Sequence, residues 1–235
     1  MFDFKKAFTL AETLITLTII GVVASMTVPT LMVQHQKDQA VIQLKKVFSE
    51  FSQASTMAKT IYGDYASWDY SLSNTEFFRT YFYPYVTLSS QTIKQAKDDD
   101  INYYETSGAV ETSLLIMRAQ GEIIELISGC QIFTYPLNFS GTGSTFARKC
   151  YAVDINGYKK PNRFGRDLFM ICLDSERGVV PHSWNDNEAS TVKKTREQLK
   201  NSSSYRYQCN KNARGMWCAA LIMKDGWQMK KDYPW

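Results

Sequence analysis

The densest run of oxygen donors in the chain is DINGYKKPNRFGRD, residues 154–167. Asp154, Asn156 and Asp167 supply side-chain oxygens, Asn162 adds another, and backbone carbonyls lie between them. Hard oxygens of mixed carboxylate and amide origin are what calcium takes. The spacing is not that of an EF-hand, since the fourth residue from Asp154 is Gly157 and the twelfth is Gly165 rather than a glutamate. Two readings stay open: a calcium loop, or a structural loop whose Asn, Gly and Pro satisfy turn geometry.

Combinations that could carry catalysis are scarce. There are two histidines, His35 in a helical stretch and His182 in a loop. SGTGSTF, residues 140–146, has a GxG but lacks the third glycine and the helix-opening context of a dinucleotide loop. STVK, residues 190–193, matches SxxK without the companion motifs that serine acyl-transfer enzymes need. GxSxG, HExxH and Walker patterns are absent from the sequence, and the chain reads as a non-enzyme.

Five cysteines, Cys130, Cys150, Cys172, Cys209 and Cys218, form no CxxC pair, so neither a zinc ribbon nor a thioredoxin-like motif is supported. In an exported domain disulfides are expected. Cys209 and Cys218 bracket the turn-rich NKNARG and are the first expected bridge, with Cys130–Cys150 the second. Cys172 lies inside the apolar run LFMICL and reads as a buried free thiol.

Net charge is +4 but unevenly spread. Residues 190–235 hold ten Lys or Arg against three acids, leaving 17 against 20 before them, or about +7 and −3. Such a segment is a solvated face, half of a subunit contact, or a site for an anionic partner. DNA would be met by Lys193, Lys194, Arg196 and Lys200.

The elements that must position these residues begin with a long helix. Val41, Leu44, Phe48, Phe51, Ser55 and Ala58 recur every three or four residues, one face of a helix that Gly63 stops. The pattern predicts a helix from Phe8 to about Tyr62 with a defect near Pro29. NTEFFRTYFYPYV reads as a short helix capped at Asn74 and ended before Pro84. SLLIMRAQGEIIELI reads as a hairpin turning at Ala119–Gly121, and KCYAVDI and DLFMICLD as two further strands. GMWCAALIMKDGWQM is either strand or short helix. A long helix on an antiparallel sheet is an α+β arrangement.

The N-terminal end adds an anomaly. From Leu14 to Val33 no residue is charged, about the 20 positions needed to cross a bilayer. Lys5 and Lys6 precede it, which predicts a cytoplasmic N-terminus and an exported head. A cleaved secretory signal or a plain anchor would explain the length, but neither gives Glu12, an acid at the mouth of the apolar run, a task.

Residues 5–12, KKAFTLAE, resemble the processing site of type IV prepilins and type II secretion pseudopilins. That family has a short basic leader, a cut before an aromatic or apolar residue, and a glutamate at the fifth mature position. Here the resemblance implies a leader of residues 1–7, cleavage by a prepilin peptidase between Ala7 and Phe8, and N-methylation of Phe8. Ala7 stands where the family normally has glycine. Pro29, the twenty-second residue counted from Phe8, matches a helix-kinking proline common in the family. The resemblance further implies that Glu12 meets the Phe8 amine of a neighbouring subunit, since a carboxylate in a low-dielectric setting needs a partner. The organisation then expected is a leader over 1–7, a membrane and assembly helix over 8–33, an amphipathic continuation over 34–62, and a head over 63–235. The implied fold is pilin-like, and the implied partners are other pilin or pseudopilin subunits. The implied setting is the bacterial inner membrane, then a filament in the periplasm or at the cell surface. Some pseudopilins also hold calcium in a head-domain loop, which points again to residues 154–167.

Overall fold

The computed structural model describes residues 9–89, 94–95, 102–111, 122–134, 147–157, 159–182, 194–201 and 205–235. The expected cleavage site at Ala7 and Phe8, the hairpin turn at Ala119–Gly121 and the SxxK and GxG runs lie outside them. The chain divides into two compact units, residues 1–39 and residues 40–235.

Helix α1, Leu10–Tyr62, begins in the first unit and ends in the second. In the first unit its apolar side chains face outward: Leu14, Ile15, Leu17, Ile20, Met26 and Leu31 are all exposed. Hydroxyls on this stretch fold back on the helix, as in Thr18 donating to the Leu14 carbonyl and Thr27 to that of Val23, which hides their polarity from an apolar surround. Pro29 lies inside α1 without ending it. The expected defect is therefore milder than a break, with one backbone N–H lost and the helical run continuing on both sides.

In the second unit α1 buries Ala40, Val41, Leu44, Val47, Phe51, Ala54, Ser55 and Ala58. Gly63 follows with a φ of +79° and donates its N–H to the Lys59 carbonyl, a left-handed stop that glycine adopts without penalty. Helix α2, Asn74–Tyr81, is capped one residue earlier than predicted. Ser73 is the N-cap, and its exchange with Glu76 forms a capping box. Asn74 instead donates its side-chain N–H to the Cys150 carbonyl at 3.0 Å, tying α2 to the sheet.

Among the described residues, six antiparallel strands follow in simple meander order. They are β1 (Lys94–Gln95), β2 (Glu122–Glu125), β3 (Gln131–Phe133), β4 (Arg148–Asp154), β5 (Leu168–Asp174) and β6 (Gly178–Pro181). Every residue of β5 is buried, which is why DLFMICLD is a continuous apolar run rather than an alternating one. Two short helices are described toward the end of the chain, α3 (Arg196–Lys200) and α4 (Cys218–Lys224). The run CAALIMK is thus helix, which its alanines and unbranched side chains favour.

The disulfides are Cys209–Cys218, as expected, and Cys150–Cys172. The second corrects the expected Cys130–Cys150 bridge and the free thiol at Cys172. Cys150 and Cys172 oppose each other in the β4–β5 register, whereas Cys130 precedes β3, on which Phe133 pairs with Ala152. Cys130 is the buried free cysteine, and burial pushes its thiol well above the ordinary range.

Candidate functional site

Two places gather the residues singled out by sequence. The first is the start of α1. Glu12 accepts from the Thr9 N–H and from the Thr9 hydroxyl, both at 2.8 Å, while its own N–H donates to that hydroxyl at 3.2 Å. This is a capping box with Thr9 as N-cap, and it gives Glu12 a local task that the spacing TLAE already contained. Glutamate is also favoured there by the helix dipole.

The second is the β4–β5 loop. The register sets Asp154, the last residue of β4, between Gln131 on β3 and Leu168 on β5. From that fixed point the loop folds back on itself. Asp154 Oδ1 accepts from the Asn156 N–H at 3.1 Å. Asp167 Oδ2 accepts from the Asn162 N–H at 2.7 Å and from the Asn156 side chain at 3.2 Å, and Asp167 Oδ1 accepts from the Arg163 N–H at 2.6 Å. Asn162 sits at a φ of +51°, which asparagine tolerates, and its N–H meets Asp167 from that conformation. The structure therefore brings all four predicted residues, Asp154, Asn156, Asn162 and Asp167, into one hydrogen-bonded cluster.

Their electrostatics are unequal. Burial pushes the Asp154 carboxyl well above its ordinary range, and nearby Asp167 pushes it further, against amides from Asn156 and Gly157. Burial also raises Asp167, opposed by the N–H groups of Arg163 and Asn162 and the Asn156 side chain. Three oxygens are buried with no hydrogen-bond donor, Asp154 Oδ2, Asn156 Oδ1 and Asn162 Oδ1. Gln131 Oε1 is a fourth such atom, on the strand beside Asp154, and it was not legible beforehand because strand pairing alone makes it a neighbour. Unsatisfied buried acceptors cost about 1–3 kcal/mol each, so the loop calls for a donor or a cation. Among the described residues no three His, Cys, Asp or Glu gather as a metal site. A cation here would rest mainly on amide oxygens. The open oxygens belong to Asp154, Asn156 and Asn162, whereas N–H groups of Asn162, Arg163 and Asn156 occupy both oxygens of Asp167.

The basic C-terminal segment is different from its sequence reading. Arg196 is forked between Asp225, at 2.8 Å, and Asp232, at 2.7 Å, and Lys200 meets Asp232 at 2.6 Å. Lys194 is buried with its ammonium 4.9 Å from the Trp217 ring centroid. Lys193 lies outside the described residues. The three described cations of the expected DNA patch are thus engaged within the fold. His182 is buried and stacks on Tyr207 at 5.7 Å, with Tyr207 stacked on Trp217 at 5.2 Å.

Fold and helix together define an α+β protein whose N-terminal helix is long and apolar enough to cross a membrane, as an anchor or a signal sequence. A family model described as a family of unknown function, DUF6613, matches residues 30–235, and the chain belongs to that family. No curated protein and no solved structure matches the chain. The matched region starts at residue 30, so it covers the head and the second half of α1 but not KKAFTLAE.

Proposed function

We propose that this chain is a pilin-like structural subunit, a pseudopilin or pilus subunit, processed by a prepilin peptidase and packed into a filament through its N-terminal helix. The observation that carries the reading is the first half of α1, where thirteen large apolar side chains between Leu10 and Val33 stand exposed behind a single carboxylate, Glu12. Lipid covers such a surface in the monomer, and copies of the same helix cover it in a filament. Head-to-tail contacts of that kind do not close and so grow helically. Glu12 then has two successive roles, helix cap in the single chain and partner of a neighbour's Phe8 amine during assembly. The DNA-capture alternative is supported less, because two of the cations it would use, Arg196 and Lys200, are held by Asp225 and Asp232.

Glu12→Gln separates the two roles. Glutamine keeps an acceptor for the Thr9 N–H and works in a capping box, but it carries no charge for an amine. In the native host the variant is expected to reach the membrane at wild-type abundance and to fail in filament assembly. Assembly at the wild-type level would leave the carboxylate a cap only and would favour a membrane-anchored exported domain that never polymerises.

A further inference from the structure

The loop between β4 and β5 also carries cations, Lys159, Lys160, Arg163 and Arg166. We propose that Arg163 and Arg166 bind an oxyanion of the phosphate class at the turn between them. Arg163, Phe164, Gly165 and Arg166 form a β-turn, closed by the Arg166 N–H donating to the Arg163 carbonyl at 3.0 Å. Gly165 stands third in it at a φ of +81°, a left-handed conformation that glycine supplies without penalty. The first and last Cα atoms of a β-turn lie within about 7 Å, so the two arginines start side by side. The turn is held from several directions. The Gly165 carbonyl accepts from the Tyr233 hydroxyl at 2.7 Å, and the Phe164 N–H donates to the Tyr104 carbonyl at 2.9 Å. A Cβ on Gly165 would meet Cys218 Sγ at 2.9 Å, so the turn is packed as well as bonded.

What the pair lacks is a counter-ion. Among the described residues no carboxylate meets either guanidinium, and the Nε of each is buried without an acceptor. Asp167 acts on Arg166 by its charge. Its two oxygens, however, take the N–H groups of Asn162 and Arg163 and the Asn156 side chain rather than a guanidinium. Burial, and then the charge of Arg163, push Arg166 below its ordinary range, as expected of like charges held together. The Arg166 guanidinium lies over the Trp235 ring at 5.2 Å from its centroid. A guanidinium stacked by its face keeps its N–H edge for hydrogen bonds. Two such edges offer more donors than one planar carboxylate can accept from both at once. A phosphate ester brings further acceptor oxygens and a charge of about −1.5 to −2 at neutral pH. Lys159 and Lys160, exposed on the same loop, add positive potential that draws an anion in. Free phosphate, a soluble ester and a lipid headgroup share this chemistry. The inference is independent of the filament reading.

The test is thermal melting of the full-length protein in maltoside micelles, with sodium acetate at equal ionic strength as the control. Inorganic phosphate, glycerol 3-phosphate and phosphatidic acid mixed into the micelle are the probes. At least one is expected to raise the melting temperature saturably above acetate. The probe that does so at the lowest concentration names the source as free phosphate, soluble ester or lipid. Arg163→Gln and Arg166→Gln are each expected to weaken the response about 10–100-fold, the effect of losing one charged hydrogen-bonding group. Without phosphate, Arg166→Gln should melt within about 2 °C of wild type, because relief of the repulsion from Arg163 offsets the lost contact with Trp235. Arg166→Lys keeps the charge without the fork, and is expected to fold normally and to bind about tenfold more weakly. The proposal is overturned if no probe exceeds acetate. It is overturned equally if either glutamine variant keeps the wild-type response, including the case in which it melts lower by the same amount with and without phosphate.

Discussion

Truncating Phe51 to alanine tests whether the second half of α1 is a wall of the head's core. Phe51 is 1% exposed and lies among Phe82, Phe78 and Tyr151 at centroid distances of 5.3, 6.0 and 6.3 Å. A buried Phe→Ala change costs about 3–5 kcal/mol, part transfer and part cavity. Three aromatic neighbours, each pair worth roughly 0.5–1.5 kcal/mol, place this site in the upper half of that range. For a unit of this size each kcal/mol moves the melting temperature by about 2–4 °C, so a loss of about 8–20 °C is expected. Ile42, on the same helix but 66% exposed, is the control; Ile42→Ala should stay within about 0.5 kcal/mol of wild type. The assay is thermal melting of the full-length protein in detergent, followed by tryptophan fluorescence, since Trp68 and Trp217 are buried in the same unit. Equal, small shifts for the two variants would refute the docking of α1 into the core.

Peptide mapping under non-reducing conditions should recover Cys150–Cys172 and Cys209–Cys218 with Cys130 as the free thiol; a Cys130–Cys150 peptide would contradict the strand register. Replacing both Cys209 and Cys218 with serine opens a nine-residue separation and should cost roughly 2–3 kcal/mol by the loop-entropy relation, read by chemical denaturation. His182 is buried, and burial lowers it to about 3 from an ordinary 6.5. The unfolded chain therefore binds the extra proton between those values, so stability should fall as pH drops from about 6.5 toward 3, by up to about 1.4 kcal/mol per unit. His182→Phe should flatten that part of the pH–stability profile, and an unchanged slope would place the titration elsewhere.

Helix periodicity was the most legible signal. Val41, Leu44, Phe51 and Ala58 marked the buried stripe of α1 correctly, because a 3.6-residue repeat is written along one segment and needs no partner. KCYAVDI and DLFMICLD were legible as strands for the same local reason, as β4 and β5 show. Their register was not, and with it went the bridge between Cys150 and Cys172, which face each other only after two strands pair across a loop. Polar partners distant in sequence were equally hidden. Arg196 finds Asp225 and Asp232, and Glu111 finds Arg214, across separations of 29 residues or more. Counting charge over residues 190–235 could not reveal that several of its cations would be answered from within the fold. The β4–β5 loop was found because its oxygens are close in sequence, but the split between Asp167 and the other three needed the hydrogen bonds.

The most direct test of the filament account is the N-terminus of the protein taken from its native membrane. Intact-mass measurement with N-terminal sequencing is expected to give a chain starting at Phe8 with about 14 Da added to its amine. A chain starting at Met1, or beyond Ala24, would contradict the account and leave an anchored or secreted domain.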